Sequence, residues 1–295
     1  AGGASINVEH TNGAGGDLGK TFSMGNQLTF SGGGELDNGL NVALSFVIDQ
    51  GDDATTGVGS GPFDSHSVTI SSDALGSLKF SGEGGSSALT ALDGTAAGDI
   101  WDSFDIASTL HPTGLGGGNN SMMYTLPAMV DGVAINASYT PRTTGADAST
   151  SYSVTYTGVE GLALHYAQGE ANATAGSHAD VTTIKATYAY GPVSVGYSET
   201  EYDSENTGTS EDQEVDSWNV SYTISENISV SYGSETIAEP TETSDQDIEI
   251  SGITASYTTG GMTISGTMID ADNTAMTTAT TEDKQQGSLA ASFAF

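Results

Sequence analysis

Four carboxylates crowd one Gly-rich stretch of the chain: Asp93, Asp99, Asp102 and Asp105, with Trp101 and Phe104 among them. Carboxylates around a narrow aqueous passage attract cations and repel anions. The two aromatic side chains give such a segment apolar anchors to a wall. The expectation is a cation-selective constriction, the alternative being four acids solvated outside any passage. Acids also gather from Glu199 to Asp216, from Glu235 to Asp247, and at Asp49, Asp52, Asp53 and Asp64. Clustered carboxylates on a pliable backbone suit Ca²⁺, which takes several oxygen ligands. Asp49, Asp52 and Asp53 are therefore candidate calcium ligands, against a solvated anionic surface as the alternative; no EF-hand spacing occurs. Ala14-Gly15-Gly16-Asp17-Leu18-Gly19-Lys20-Thr21 loosely matches a phosphate-binding loop, but a strand-like segment follows where that motif needs a helix. The histidines at 10, 66, 111, 165 and 178 have no metal-type spacing. No Gly-x-Ser-x-Gly elbow opens a helix, and nothing isolates a catalytic carboxylate pair. The residues point to no enzyme.

Charge narrows the field further. The chain has 38 Asp and Glu against five bases (Lys20, Lys79, Arg142, Lys185, Lys284), a net charge of -33. Nucleic acid is excluded as a partner, because neutralising phosphates needs clustered Lys and Arg. No run approaches the roughly 18 apolar residues of a membrane-spanning helix. Ala1-Gly2-Gly3-Ala4 reads as the start of a processed chain, an expectation only.

The elements that must position these residues are strands. Two-residue alternation recurs throughout, as in Trp218-Asn219-Val220-Ser221-Tyr222-Thr223-Ile224 and Ile228-Ser229-Val230-Ser231-Tyr232. Tight Gly-, Asn- and Pro-containing turns take turns with long polar connections near 11–20, 50–65, 83–120, 142–148, 171–179, 203–213, 237–246 and 271–283. The spacing predicts strands at 4–10, 21–36, 40–49, 66–72, 77–82, 121–129, 133–141 and 149–158. It predicts eight more at 162–170, 180–190, 193–202, 214–225, 228–236, 247–259, 262–270 and 284–295.

Such a meander puts every short turn at one end and every long loop at the other. Closing it removes the unpaired edges, and a barrel this wide holds water. The expected architecture is all-β: one 16-stranded antiparallel transmembrane barrel over 1–295, with short periplasmic turns and long external loops. Leu40, Val42, Leu44, Phe46 and Ile48 should face outward, as should Leu289, Ala291, Phe293 and Phe295. Tyr139, Tyr152, Tyr156, Tyr166, Tyr190 and Tyr202 suit interfacial girdles. Gln27, His66, Lys79 and Lys185 are expected in the lumen with the four loop acids. Ile248 and Ile250 are out of phase with Ile253, Ala255 and Tyr257, which predicts a bulge near Ser251-Gly252. A soluble, secreted acidic all-β surface protein is the competing reading; its apolar rows would need a second sheet to bury them.

The chain resembles the trimeric general diffusion porins of Gram-negative outer membranes, particularly the alpha-proteobacterial type. The likeness rests on the terminal Ser288-Leu-Ala-Ala-Ser-Phe-Ala-Phe295, on the hairpin from Asn26 through Val42, and on the position of the longest loop after the fifth strand. It implies passive diffusion of small hydrophilic solutes, no required cofactor, and a multi-pass protein surrounded by outer-membrane lipid and lipopolysaccharide. It also implies a homotrimer latched by the loop near 50–65, segment 83–120 folded into the lumen, and a constriction between third-loop acids and a basic cluster on the opposite wall. The arginines of that cluster are missing, which leaves a net negative lumen and a preference for cations.

Overall fold

A computed structural model describes residues 2–13, 16–49, 63–90, 92, 94–104, 119–142, 148–174, 177–204, 212–239, 247–274, 276 and 283–294. The strands are β1 (Gly2–Gly13), β2 (Gly16–Glu35), β3 (Asn41–Asp49), β4 (Phe63–Ser72), β5 (Gly76–Glu83), β6 (Ser121–Thr125), β7 (Val133–Thr140) and β8 (Ser149–Val159). They continue as β9 (Leu162–Thr174), β10 (Ser177–Tyr190), β11 (Val193–Ser204), β12 (Gln213–Ser225), β13 (Ile228–Ala238), β14 (Ile248–Thr259), β15 (Met262–Asp272) and β16 (Lys284–Ala294). Each pairs antiparallel with its neighbours in sequence, and β1 closes the sheet on β16. Closure satisfies the backbone within the wall, which a lipid-spanning sheet requires.

Register fixes which side chains share a face. On β3 the row Val42, Leu44, Phe46 and Ile48 points outward, and Phe46 stacks on Phe30 of β2 with ring centroids 5.0 Å apart. Leu44 is 45% exposed and Phe293 40%, so neither is packed inside a dry sandwich, and the soluble two-sheet reading fails. Leu40 lies just before β3, its carbonyl accepting from the N–H of Leu36 at 2.8 Å. Phe295 lies outside the described residues. The inner face is hydroxyl-rich, with cross-strand pairs such as Thr183 and Thr200 at 3.0 Å and Ser194 and Ser221 at 2.6 Å. The tight turns need left-handed residues. Gly161 has φ 76°, and a β-carbon there would run into the carbonyl of Ala189.

Several boundaries differ from expectation for local reasons. β6 stops at Thr125 rather than 129, because Pro127 has no N–H for the ladder. The polar segments near 11–20 and 171–179 are largely strand: β1 and β2 pair as far as Gly13 and Gly16, and β9 and β10 as far as Thr174 and Ser177. Their register shifts, at Thr11/Asn12 and Ser177/His178, are where irregularity occurs. No bulge interrupts β14 at Ser251-Gly252, since its pairing with β13 and β15 is continuous. Ile248 and Ile250 are out of phase because they point inward and are buried. Tyr202 also faces inward, 7% exposed, and is no part of a girdle. The other girdle candidates keep outward positions, and Tyr152 and Tyr166 lie 6.2 Å apart between ring centroids.

Candidate functional site

Residues 88–104 of the segment between β5 and β6, as far as they are described, lie against the inner wall of the barrel. Two sets of contacts hold it. In the first, the N–H groups of Ala88 and Leu89 donate to the hydroxyls of Ser138 on β7 and Ser151 on β8, at 3.0 and 3.1 Å. Leu89 is fully buried beside Ala167, Ala179, Val181 and Tyr202. In the second, Ala96 and Ala97 donate their N–H groups to Ser198 on β11 and Ser217 on β12, at 2.8 and 2.9 Å. The Lys185 ammonium donates to the carbonyls of Gly94 at 2.5 Å and Thr95 at 3.2 Å. The Glu235 carboxylate accepts from the Thr95 hydroxyl, and from the Trp101 N–H at 2.8 Å. A 3-10 turn at Ile100–Ser103 then seats Ile100, Trp101 and Phe104 against Ile237, Ile248, Ile250 and Ile269. Gln286 on β16 closes the set with a 2.9 Å bond to the Ser103 carbonyl. The inward isoleucines of β13 to β15 are thus the floor under the loop. Apolar side chains on a wet lumen wall would otherwise be exposed to water.

The expected site residues take different roles. Asp99 folds the loop: its carboxylate accepts the Thr95 N–H at 2.8 Å while its own N–H donates to the Thr95 hydroxyl at 2.7 Å. It does so from a left-handed backbone, φ 56°. Asp102 is exposed on the 3-10 turn. Asp93 and Asp105 lie outside the described residues, as do Asp52 and Asp53 of the calcium candidates. Asp49 ends β3, its backbone opposite Gln27. Among the described residues no three His, Cys, Asp or Glu groups are placed to hold a metal ion. Gln27 and Lys79 occupy lumen-facing positions, Lys79 paired with Thr69 and Met123. Lys185 faces inward too, but beneath the loop, where it is spent on loop carbonyls. His66 sits directly across from Phe46 and belongs to the outward row with Val68. Its expected place in the lumen is corrected by one position of the alternation.

The described loop residues 88–104 contact the wall from β7 round to β16, and β1–β6 form the remaining arc. Glu9 of β1 stands on that arc, taking a 2.5 Å bond from the Asn7 amide and a 3.4 Å bond from the Thr21 hydroxyl. Sequence reading overlooked it, although Ile6 and Val8 flanking the outward row were the signal. Glu235 was read as part of an acidic run rather than as an inward residue; its place on the polar face of the Val230-Tyr232 alternation was the clue. Lys79 is the one Lys or Arg directed inward from β1–β6 among the described residues. The described inner wall is hydroxyl-rich, and the described part of the loop brings Asp99 and Asp102 to it.

Comparison with known proteins agrees with this geometry. The barrel superposes on an anion-selective porin from Comamonas acidovorans with TM-score 0.70 and 16% identity, covering 100% of this chain and 98% of that one. It superposes on OmpT of Vibrio cholerae lacking loop L8, with TM-score 0.72, 15% identity, and 99% and 98% coverage. A trimer form of OmpT gives TM-score 0.71 at 13% identity, with 99% and 98% coverage. These likenesses establish the fold. No curated protein matches the sequence. The family model described as Gram-negative porin matches residues 1–274, and the chain belongs to that family of outer-membrane channel proteins.

Proposed function

We propose that this porin is a cation-preferring channel for passive diffusion of small hydrophilic solutes. The observation that carries the reading is the charge around the open passage. Asp102 is exposed on the loop and Glu9 stands on the opposing arc, while Lys79 is the single inward base described there. Exposed charges of one sign in a confined aqueous path raise the local concentration of the opposite ion. The anion selectivity of the Comamonas acidovorans relative belongs to that protein; at 16% identity the fold is shared and the lining charges are not thereby fixed.

The decisive measurement is the reversal potential in a planar bilayer under a KCl gradient. A cation-preferring sign supports the proposal, and an anion-preferring sign sinks it. The same recordings address assembly: we read the protein as a homotrimer in contact with outer-membrane lipid and lipopolysaccharide, which predicts conductance appearing in groups of three. Calcium at Asp49, Asp52 and Asp53 is tested by chelation, which should lower the temperature at which the assembly dissociates.

A further inference from the structure

The outer face of β15, β16, β1 and β2 carries a groove that ion passage does not use. Two neighbouring rungs of the wall form it. The rung nearer the long connections runs Met268, Gly287, His10, Lys20, each paired directly with the next. The rung nearer the short turns runs Gly266, Leu289, Val8. Met268 is 67% exposed and Leu289 59%, so their side chains stand out from the wall, while Gly287 and Gly266 beside them leave it bare. The space enclosed is about 560 Å³, within the roughly 300–1,000 Å³ of ordinary ligand clefts.

Neither glycine answers a need of the chain itself. A β-carbon on Gly287 would meet nothing within 4 Å, and one on Gly266 only ordinary contacts at 3.9 and 4.0 Å. Neither has a left-handed backbone, and pairing is continuous through both. Glycine within a strand weakens it; with no bulge and no close backbone here, the remaining cause is a ligand lying against the sheet. Charge marks one end of the same groove. Lys20 is exposed and has no hydrogen-bond or ion-pair partner among the described residues. It is also the one Lys or Arg on a strand that points outward among them, since Lys79, Lys185 and Lys284 take inward positions. His10 stands directly across from it, its ring held by Nδ1–H donating to the Gly19 carbonyl at 2.9 Å. On β11 and β12 the outward ends carry Glu199, Glu201, Glu214 and Asp216 instead. An anionic headgroup is repelled there and met at Lys20. The Met268 rung continues through Ile253 to Tyr232, whose ring centroid lies 5.6 Å from that of Trp218. Such aromatic side chains sit at headgroup level.

We propose that this groove binds one lipopolysaccharide molecule of the outer leaflet, with an acyl chain lying over Gly287 and Gly266 and a lipid A phosphate on the Lys20 ammonium. Lipid tails are as apolar as the wall, so apolar burial alone selects nothing; close packing against bare backbone does. The ion pair adds a charge-assisted hydrogen bond. Asp270, the next outward residue of β15, repels the phosphate from that side, so it is met from β1 and β2. The inference rests on the reading above that the barrel meets lipopolysaccharide, and goes further in assigning the residues that select it.

The test counts retained lipid by native mass spectrometry. Delipidated protein in detergent is titrated with bis-phosphorylated lipid A, with its dephosphorylated form, and with phosphatidylglycerol. Wild type should keep one lipid A per chain in preference to the other two. Lys20→Gln should weaken retention at least about tenfold, the scale of one lost hydrogen bond between charged groups. Gly287→Leu should weaken it comparably by filling the groove, and Asp270→Asn should strengthen it. Dephosphorylated lipid A should bind wild type and Lys20→Gln alike. Unchanged retention of lipid A in both Lys20→Gln and Gly287→Leu would overturn the site. So would equal retention of phosphatidylglycerol by wild type, since the groove would then take any anionic lipid. A lower dissociation temperature of the lipid-free assembly in Gly287→Leu would make the groove a contact between copies and overturn it too. If Gly287→Leu does not fold, Gly266→Leu fills the same space and decides the question. A wild-type protein that retains no lipid A would defeat the lipopolysaccharide reading itself, whereas retention indifferent to the variants defeats only the groove.

Discussion

Single side chains divide into those that meet the solute and those that hold the ones that do. Asp99 looked like a pore acid by composition, yet its carboxylate and N–H are both committed to Thr95. Asp102 is exposed on the 3-10 turn, and Glu9 is half-buried on the inward face of β1. Asp102→Asn and Glu9→Gln should each lower the cation-to-anion permeability ratio in a KCl gradient, and Lys79→Gln should raise it. Asp99→Asn should instead alter the current noise, because it disturbs the loop's own fold. A permeability ratio unmoved by both Asp102→Asn and Glu9→Gln would remove the basis for the proposed selectivity. Lys185 and Lys79 show how little residue type alone conveys: both are inward lysines, but one is bonded to loop carbonyls and the other stands on β5 between Thr69 and Met123.

Strands and turns carry the next set of consequences. The outward row of β3 meets hydrocarbon, so Leu44→Arg should cost about 2–4 kcal/mol if it lies near the bilayer midplane, read as a lower denaturant midpoint for folding into lipid. Gly161 holds a left-handed turn against Ala189. Gly161→Ala should cost about 1–3 kcal/mol, the usual scale for a strained non-glycine conformation. The outer ends of β9 to β15 carry a more unusual pattern. Glu199 pairs with Asp216, Glu201 with Glu214, Asp180 with Asp203, and Glu249 with Asp272, each directly across the ladder. The Tyr197 hydroxyl donates to Asp216 at 2.5 Å and lies 3.0 Å from Glu199, one proton between two carboxylates. Like charges in register destabilise a sheet, and a cross-strand opposite-charge pair is worth about 0.2–1 kcal/mol. Glu201→Lys should therefore stabilise this part of the wall by about that amount, measured as slower hydrogen exchange on β11 and β12. An unchanged or faster exchange would show that the ladder repulsion is already neutralised in solution.

At the scale of the whole molecule, the net charge of -33 has a collective effect that no single pair reveals. Repulsion among exposed carboxylates is screened over about 30 Å at 0.01 M salt and about 3 Å at 1 M. The temperature at which the detergent-solubilised barrel unfolds should rise with NaCl across that range. A flat response would mean that the acids lie too far apart, or too well paired, to stress the closed sheet. Closure itself makes the barrel cooperative, since β1 and β16 each complete the backbone pairing of the other.

The sequence by itself determined the barrel. Alternation with period two, and turns that alternate short with long, fix strand number, face and sidedness through local geometry, and these needed no knowledge of contacts. It also placed an acidic, aromatic loop after the fifth strand. What it could not supply was the match between that loop and the wall. Ile248 and Ile250 broke the outward pattern, and the local explanation was a bulge; the actual cause is Phe104 and Trp101, over 140 residues away in sequence. Lys185 was taken out of the passage by contacts formed with a distant segment, whereas His66, in phase with Val68, belongs to the outward row by the alternation itself. A strand's face is decided by neighbours two residues apart, whereas a lumen's lining is decided by whatever the chain folds into it, and only the tertiary structure records that.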